Sequence, residues 1–190
     1  MNSSLVSDVG TPLPLHISLS APLILRTQER EDFLAAIREA IHSALGVESK
    51  SQHGHEPLKL RLGRLKWAAN YERNRWFLAV GIERPEGDQL NKLLNACNTV
   101  ASARSLPTLY NKPKSATPED VGGEVEDYSG RFHFSIAWTL EAPVPEDVVM
   151  KTRDLPAARA SSLQNIEVPV HSVKVKIGNN ITSILLKQPE

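Results

Sequence analysis

From Leu13 to Leu19 the chain alternates, with Leu13, Leu15, Ile17 and Leu19 separated by Pro14, His16 and Ser18. A period of two is that of a half-buried strand, so the pattern predicts one here. The period then lengthens. Phe33, Ile37, Ile41 and Leu45 recur at helical spacing, with Thr27 placed to cap the helix, Glu29, Glu31 and Asp32 suited to its positive end, and Gly46 to close it. Leu58, Leu60 and Leu62 alternate again and Gly63 marks a bulge. Beyond a turn from Asn70 to Asn74, Arg75 to Glu83 carries Trp76, Leu78, Val80 and Ile82 on one face, which completes a hairpin. A second helix opens at Pro85-Glu86-Gly87-Asp88, shows Leu90, Leu93, Leu94, Cys97, Val100 and Ala101 on its stripe, and cannot pass Pro107.

The second half repeats this order. Residues 111–130, with two prolines, three glycines and few large apolar groups, predict an exposed insertion. Arg131 to Leu140 alternates, Pro145 with Glu146 and Asp147 opens a helix through Thr152, and Val168 to Leu186 reads as a hairpin turning at Gly178-Asn179-Asn180. Strand, helix and hairpin thus occur twice. The prediction is an α+β chain with a lead-in at 1–12 and one domain at 13–187, its two lobes spanning about 13–105 and 131–187.

Composition narrows the class. With 190 residues, 41% hydrophobic and 23% charged, the chain suits one globular core, and no apolar run approaches the roughly 18 residues of a membrane span. The opening MNSSLVSDVG lacks the basic and apolar regions of a secretory signal, so export is not expected. A lone cysteine, Cys97, excludes an internal disulfide, and its place on a helical stripe predicts an inert core thiol. Net charge is zero, yet residues 58–76 set Lys59, Arg61, Arg64, Lys66, Arg73 and Arg75 against Glu72 alone, a local excess of +5. That segment can hold phosphate or can simply be a solvated strand edge. His53-Gly54-His55-Glu56 has no third ligand nearby and reads as a loop rather than a metal site. Trp67, Trp76 and Trp138 each sit in an alternating run and are expected in the core.

Two short stretches stand out, Leu15-His16-Ile17-Ser18-Leu19 and Phe132-His133-Phe134-Ser135-Ile136. Each begins a half of the chain, and each places His and Ser two apart in an alternating run, about 6.6–6.8 Å from one another on one face of a strand. Chance alone puts two His-x-Ser in roughly one shuffled chain in ten, so the weight lies in their equivalent contexts. Two imidazoles across a cleft form an acid and base pair near neutral pH, and the adjacent hydroxyls can hold a non-bridging phosphate oxygen. RNA suits such a site. One histidine would deprotonate the 2′-hydroxyl, which attacks the adjacent phosphorus, and the other would protonate the leaving 5′-oxygen, giving a 2′,3′-cyclic phosphate with no metal or other cofactor.

On these motifs, together with "PLHISLS", "LKWAANYERNRWFLAVGIERP", "LPTLY" and "RFHFSIAW", the chain resembles the two-histidine (2H) phosphoesterase superfamily. More closely, it resembles the fungal-type U6 small nuclear RNA 3′-end phosphodiesterase family. The resemblance spans most of 13–186 and implies two pseudo-symmetric lobes, each with antiparallel strands and outer helices, around a central groove. It implies a nuclear 3′-to-5′ exoribonuclease that trims the oligouridine end of U6 RNA, a single-stranded partner, and a monomer with no membrane attachment. His16 and His133 would be catalytic, with His16 favoured as base but the roles open, and Ser18 and Ser135 would bind phosphate. Tyr110 would stack on the terminal base, with Tyr128 as competitor because 111–130 separates Tyr110 from His133. The alternatives are a 2′,3′-cyclic nucleotide phosphodiesterase acting on small nucleotides or tRNA-splicing products, and a non-catalytic RNA-binding module.

Overall fold

The computed structural model describes residues 1–46, 58–70, 72–110, 127–143 and 166–186. The expected loop at 48–57, most of the insertion and the helix expected from Pro145 lie outside these residues. The class is α+β, as the alternating periods predicted: the described residues form a five-stranded sheet, a separate two-stranded hairpin and two α-helices.

The chain forms two compact units, and each draws on both halves of the sequence rather than on the contiguous lobes 13–105 and 131–187. The first comprises Met1–Ser18, Lys59–Pro85 and Ser129–Val168. Its sheet contains β1 (Asn2–Ser3), β2 (Leu58–Ala69), β3 (Trp76–Ile82), β4 (His133–Thr139) and β5 (Glu167–Val170), in the order β1-β4-β3-β2-β5. β2 and β3 are the expected hairpin. Its turn closes on the Asn70 side chain, whose Oδ1 accepts from the Asn74 and Arg75 amides at 3.1 Å each, while Arg73 takes the left-handed φ of 53°. The register slips between Leu62 and Leu65, where Gly63 predicted a bulge. A methyl at Gly63 would stand 3.2 Å from the Gly81 carbonyl oxygen, so the strands approach closely because a side chain is absent there. Leu60, Leu62, Val80, Ile82 and Phe132 are buried and form the apolar side of the sheet.

The opening residues differ from expectation. The lead-in supplies β1, antiparallel to β4, and the Ser4 amide continues the pairing to the Ile136 carbonyl at 2.9 Å. A turn at Ser7–Thr11, with Gly10 at φ 77°, returns the chain so that the Leu13 amide donates to the Leu5 carbonyl at 2.8 Å. Leu13–Leu19 itself is not a laddered strand. Pro12 and Pro14 have no N–H to donate, and Leu13 and Leu15 remain 44% and 49% exposed.

The second unit comprises Leu19–Leu58, Glu86–Tyr128 and Pro169–Glu190. It holds α1 (Arg30–Ala44), α2 (Gln89–Ser102), and the hairpin of β6 (Ser172–Ile177) and β7 (Asn180–Leu185). Phe33, Ile37 and Ile41 of α1 are buried, as their spacing required, and α1 packs on α2, whose Leu90, Leu93, Leu94 and Cys97 are also buried. Ile41, Leu93 and Leu94 are at most 1% exposed, and each full burial is worth about 1.5–3 kcal/mol. The cap differs from expectation: Thr27 lies inside a single 3-10 turn, and the Glu29 carboxylate instead accepts from the Arg26 amide at 2.8 Å. Gly46 at φ 66° ends the helix as predicted. No described helix is long and apolar enough to cross a membrane.

Candidate active site

β4 exists because Phe132, Phe134 and Ile136 alternate with polar residues, and antiparallel pairing fixes what each polar residue faces. His133 lies opposite Gly81 and Ser135 opposite Ala79 on β3. Partners in an antiparallel pair project to one face, so His133, Ser135, Ala79 and Gly81 share a face, while Phe134 joins Val80 and Leu65 on the other. The face carrying the imidazole and hydroxyl therefore has a floor of the two smallest side chains on β3. Leu78, Val80 and Ile82 all point away from it.

The His133 ring is oriented by its own chain. Its Nδ1 lies 2.6 Å from the Arg131 carbonyl oxygen. A carbonyl only accepts, so Nδ1 carries the proton and Nε2 is the nitrogen that accepts a proton, or donates one once protonated. Such an orienting bond is what a general acid or base requires.

Just beyond Ser135 the register of β4 shifts, leaving Ile136 without a partner on β3. This bulge turns Trp138 onto the Ser135 face, where the Arg75 guanidinium lies 4.5 Å from its ring centroid. All three tryptophans are half-buried rather than fully in the core.

His16 and Ser18 are exposed and belong to the same compact unit as His133 and Ser135. Backbone bonds connect the segments that carry the two motifs: the Leu13 amide, three residues before His16, is tied to Leu5, two residues beyond β1, and β1 is tied to β4. No side-chain hydrogen bond joins the motifs among the described residues.

Tyr110 and Tyr128 lie in the second unit. Tyr110 is half-buried with φ 67°, Tyr128 is 8% exposed, and their ring centroids are 5.9 Å apart. Two asparagines that the sequence reading missed hold them. Asn98 clamps the residue before Tyr110, its Nδ2 donating to the Leu109 carbonyl at 3.0 Å and its Oδ1 accepting from the Leu109 amide at 2.9 Å. Asn91 Oδ1 accepts from the Tyr128 amide at 3.0 Å, and its Nδ2 donates to Asp88 and Asp127. The available signal was position, since both amides sit among the apolar positions of α2, where a polar group must find partners. Cys97 is buried and its thiol pushed up to about 11 by desolvation, which suits the expected inert role. Among the described residues no three His, Cys, Asp or Glu side chains are grouped to share a cation.

Residues 1–185 match a family model, HVSL, described as an uncharacterised conserved protein. U6 snRNA phosphodiesterase 1 of Neurospora crassa is 27% identical over 204 residues, covering 95% of this chain and 50% of that protein. The chain thus spans about half the length of that curated relative. Solved structures of Kluyveromyces marxianus Usb1, without and with uridine monophosphate, align at a TM-score of 0.58 with 20% and 19% identity. Each alignment covers 97% of this chain and 80% of the other, and they share its α+β fold.

Proposed function

This chain belongs to the HVSL family, and on that premise we propose that it is an RNA phosphodiesterase trimming the 3′ end of U6 small nuclear RNA, a 3′-to-5′ exonuclease of the two-histidine class. The observation that carries the reading is the β4 face, where an imidazole with its Nδ1 committed to Arg131 stands beside the Ser135 hydroxyl over a floor of Ala79 and Gly81. The curated relative's name supplies the substrate class, and the relative solved with uridine monophosphate supports oligouridine.

In this reaction His16 takes the proton from the 2′-hydroxyl of the penultimate nucleotide. The freed oxygen attacks phosphorus, the bond to the terminal nucleotide's 5′-oxygen breaks, and His133 Nε2 delivers the proton to that oxygen. Ser18 and Ser135 donate hydrogen bonds to the non-bridging oxygens, where charge gathers as phosphorus becomes five-coordinate. The RNA is left with a 2′,3′-cyclic phosphate, and the departing nucleotide carries a new 5′-hydroxyl. Tyr110 offers the more accessible ring for stacking a base, and sequence tolerance is expected of such a contact. The enzyme acts as a monomer in the nucleus.

Oligouridine-tailed RNA incubated with the protein in excess chelator should shorten from its 3′ end, with cyclic phosphate termini. Loss of activity on chelation refutes the metal-independent mechanism. Turnover of 2′,3′-cyclic uridine monophosphate with no cleavage of the oligomer replaces RNA trimming by the small-nucleotide reading.

A further inference from the structure

Lys66 occupies the face just described, although none of the chemistry above uses it. On β2 it pairs with Ala79, and Ala79 pairs with Ser135, so Lys66, Ala79 and Ser135 form one row across three strands. The side chain does not run off the strand into solvent, as a lysine guarding a sheet edge would. It lies across β3: a methyl at Gly81 would meet Lys66 Cε at 3.8 Å and Nζ at 3.9 Å. Gly81 is the residue opposite His133. From there Nζ donates to the Gly130 carbonyl at 2.5 Å, on the turn whose next carbonyl, that of Arg131, holds the His133 ring. The absent side chain at Gly81 and the methyl of Ala79 are what allow the lysine this path.

We propose that Lys66 is a substrate-contacting cation of this site, donating to a non-bridging oxygen of the RNA phosphate that Ser135 and His133 engage. The inference rests on the phosphodiesterase reading. An ammonium carries three donors, and the Gly130 carbonyl takes one. Burial already holds the Lys66 ammonium below the ordinary lysine range. A phosphate oxygen offers such a partly desolvated cation a charge-assisted partner in surroundings of lowered dielectric, where the pairing is stronger than in water. Two other cations of the basic 58–76 segment are engaged elsewhere: Arg61 pairs with Glu167, and Arg75 lies on Trp138.

The test measures binding and turnover separately. An oligouridine with a 2′-deoxy penultimate nucleotide binds but cannot be cleaved by internal attack. Its affinity for wild type, Lys66→Gln, Lys66→Met and Lys66→Arg is read by fluorescence anisotropy across salt concentrations. Each phosphate neutralised on a single strand contributes about 0.7 to the slope of log K against log salt. Lys66→Gln and Lys66→Met should each lower the slope by about 0.7 and reduce kcat/KM on cleavable RNA by about 10- to 100-fold, whereas Lys66→Arg should keep the slope. A lysine that only fastened the Gly130 turn would change Tm and kcat but not the slope. An unchanged slope in Lys66→Met, which retains an apolar stem across Gly81, overturns the inference while leaving wild-type cleavage and the phosphodiesterase reading intact. A wild type that neither binds nor cleaves oligouridine overturns both.

Discussion

Replacing His133 by asparagine separates what its imidazole does for the fold from what it does for the chemistry. Nδ1 donates to the Arg131 carbonyl at 2.6 Å, and an asparagine Nδ2–H can occupy nearly the same place. That bond is partly exposed and contributes about 0.5–1.5 kcal/mol. His133→Ala should therefore lower Tm by a few degrees, at about 2–4 °C per kcal/mol for a chain of this size, while His133→Asn should lose less. Catalysis should respond differently. Neither replacement can exchange a proton from the Nε2 position, so both should lose about 10²- to 10⁴-fold in turnover of oligouridine. A substrate with sulfur in place of the leaving 5′-oxygen expels a thiolate that needs no proton. If His133 is the acid, that substrate restores most of the loss in His133→Asn; if it is the base, the loss persists and the roles of His16 and His133 are exchanged. His133→Asn within tenfold of wild type on ordinary RNA would refute the catalytic assignment.

Gly63→Ala places a methyl 3.2 Å from the Gly81 carbonyl oxygen, a backbone atom, so the strands must separate at a cost of about 1–3 kcal/mol; an unchanged Tm would show that the bulge can accommodate it. Asn98→Ala removes both partners of the Leu109 backbone, at about 1–3 kcal/mol for each group left unpaired, and should lower the urea midpoint without altering the m-value. The same variant should loosen Tyr110 and weaken oligouridine binding, and a stability equal to wild type would contradict the clamp. Cys97 should resist iodoacetamide until the protein is unfolded. Its thiol is pushed from 9.0 up to about 11 in the folded protein, so from pH 9 to 11 the unfolded state releases a proton that the folded state retains. Stability should fall across that window by up to about 1.4 kcal/mol per pH unit more in wild type than in Cys97→Ala, and parallel curves would contradict the burial.

Much of this protein is written in one-dimensional periodicity. The helices at Phe33–Ile41 and Leu90–Ala101, the β2–β3 hairpin, the Gly63 bulge, β4 and the β6–β7 hairpin follow from spacing, turn residues and breakers. Those features depend on neighbours a few residues away, so local sequence determines them. The two His-x-Ser motifs were legible for the same reason. The strand expected at Leu13–Leu19 was not realised, because its prolines lack N–H groups that periodicity does not count. β1 was invisible because Asn2 and Ser3 carry no apolar pattern and are held by the edge of β4, more than a hundred residues away.

The sequence by itself determined α1, α2, the two hairpins and β4, the α+β class, the family and the placing of an imidazole beside a hydroxyl on β4. Tertiary structure alone decided the cross-strand register that sets His133 opposite Gly81 and Ser135 opposite Ala79 and brings Lys66 into their row. Alternation tells which residues share a face of one strand, whereas the choice of strand alongside, and the residue opposite, comes from the backbone bonds between segments far apart in the chain.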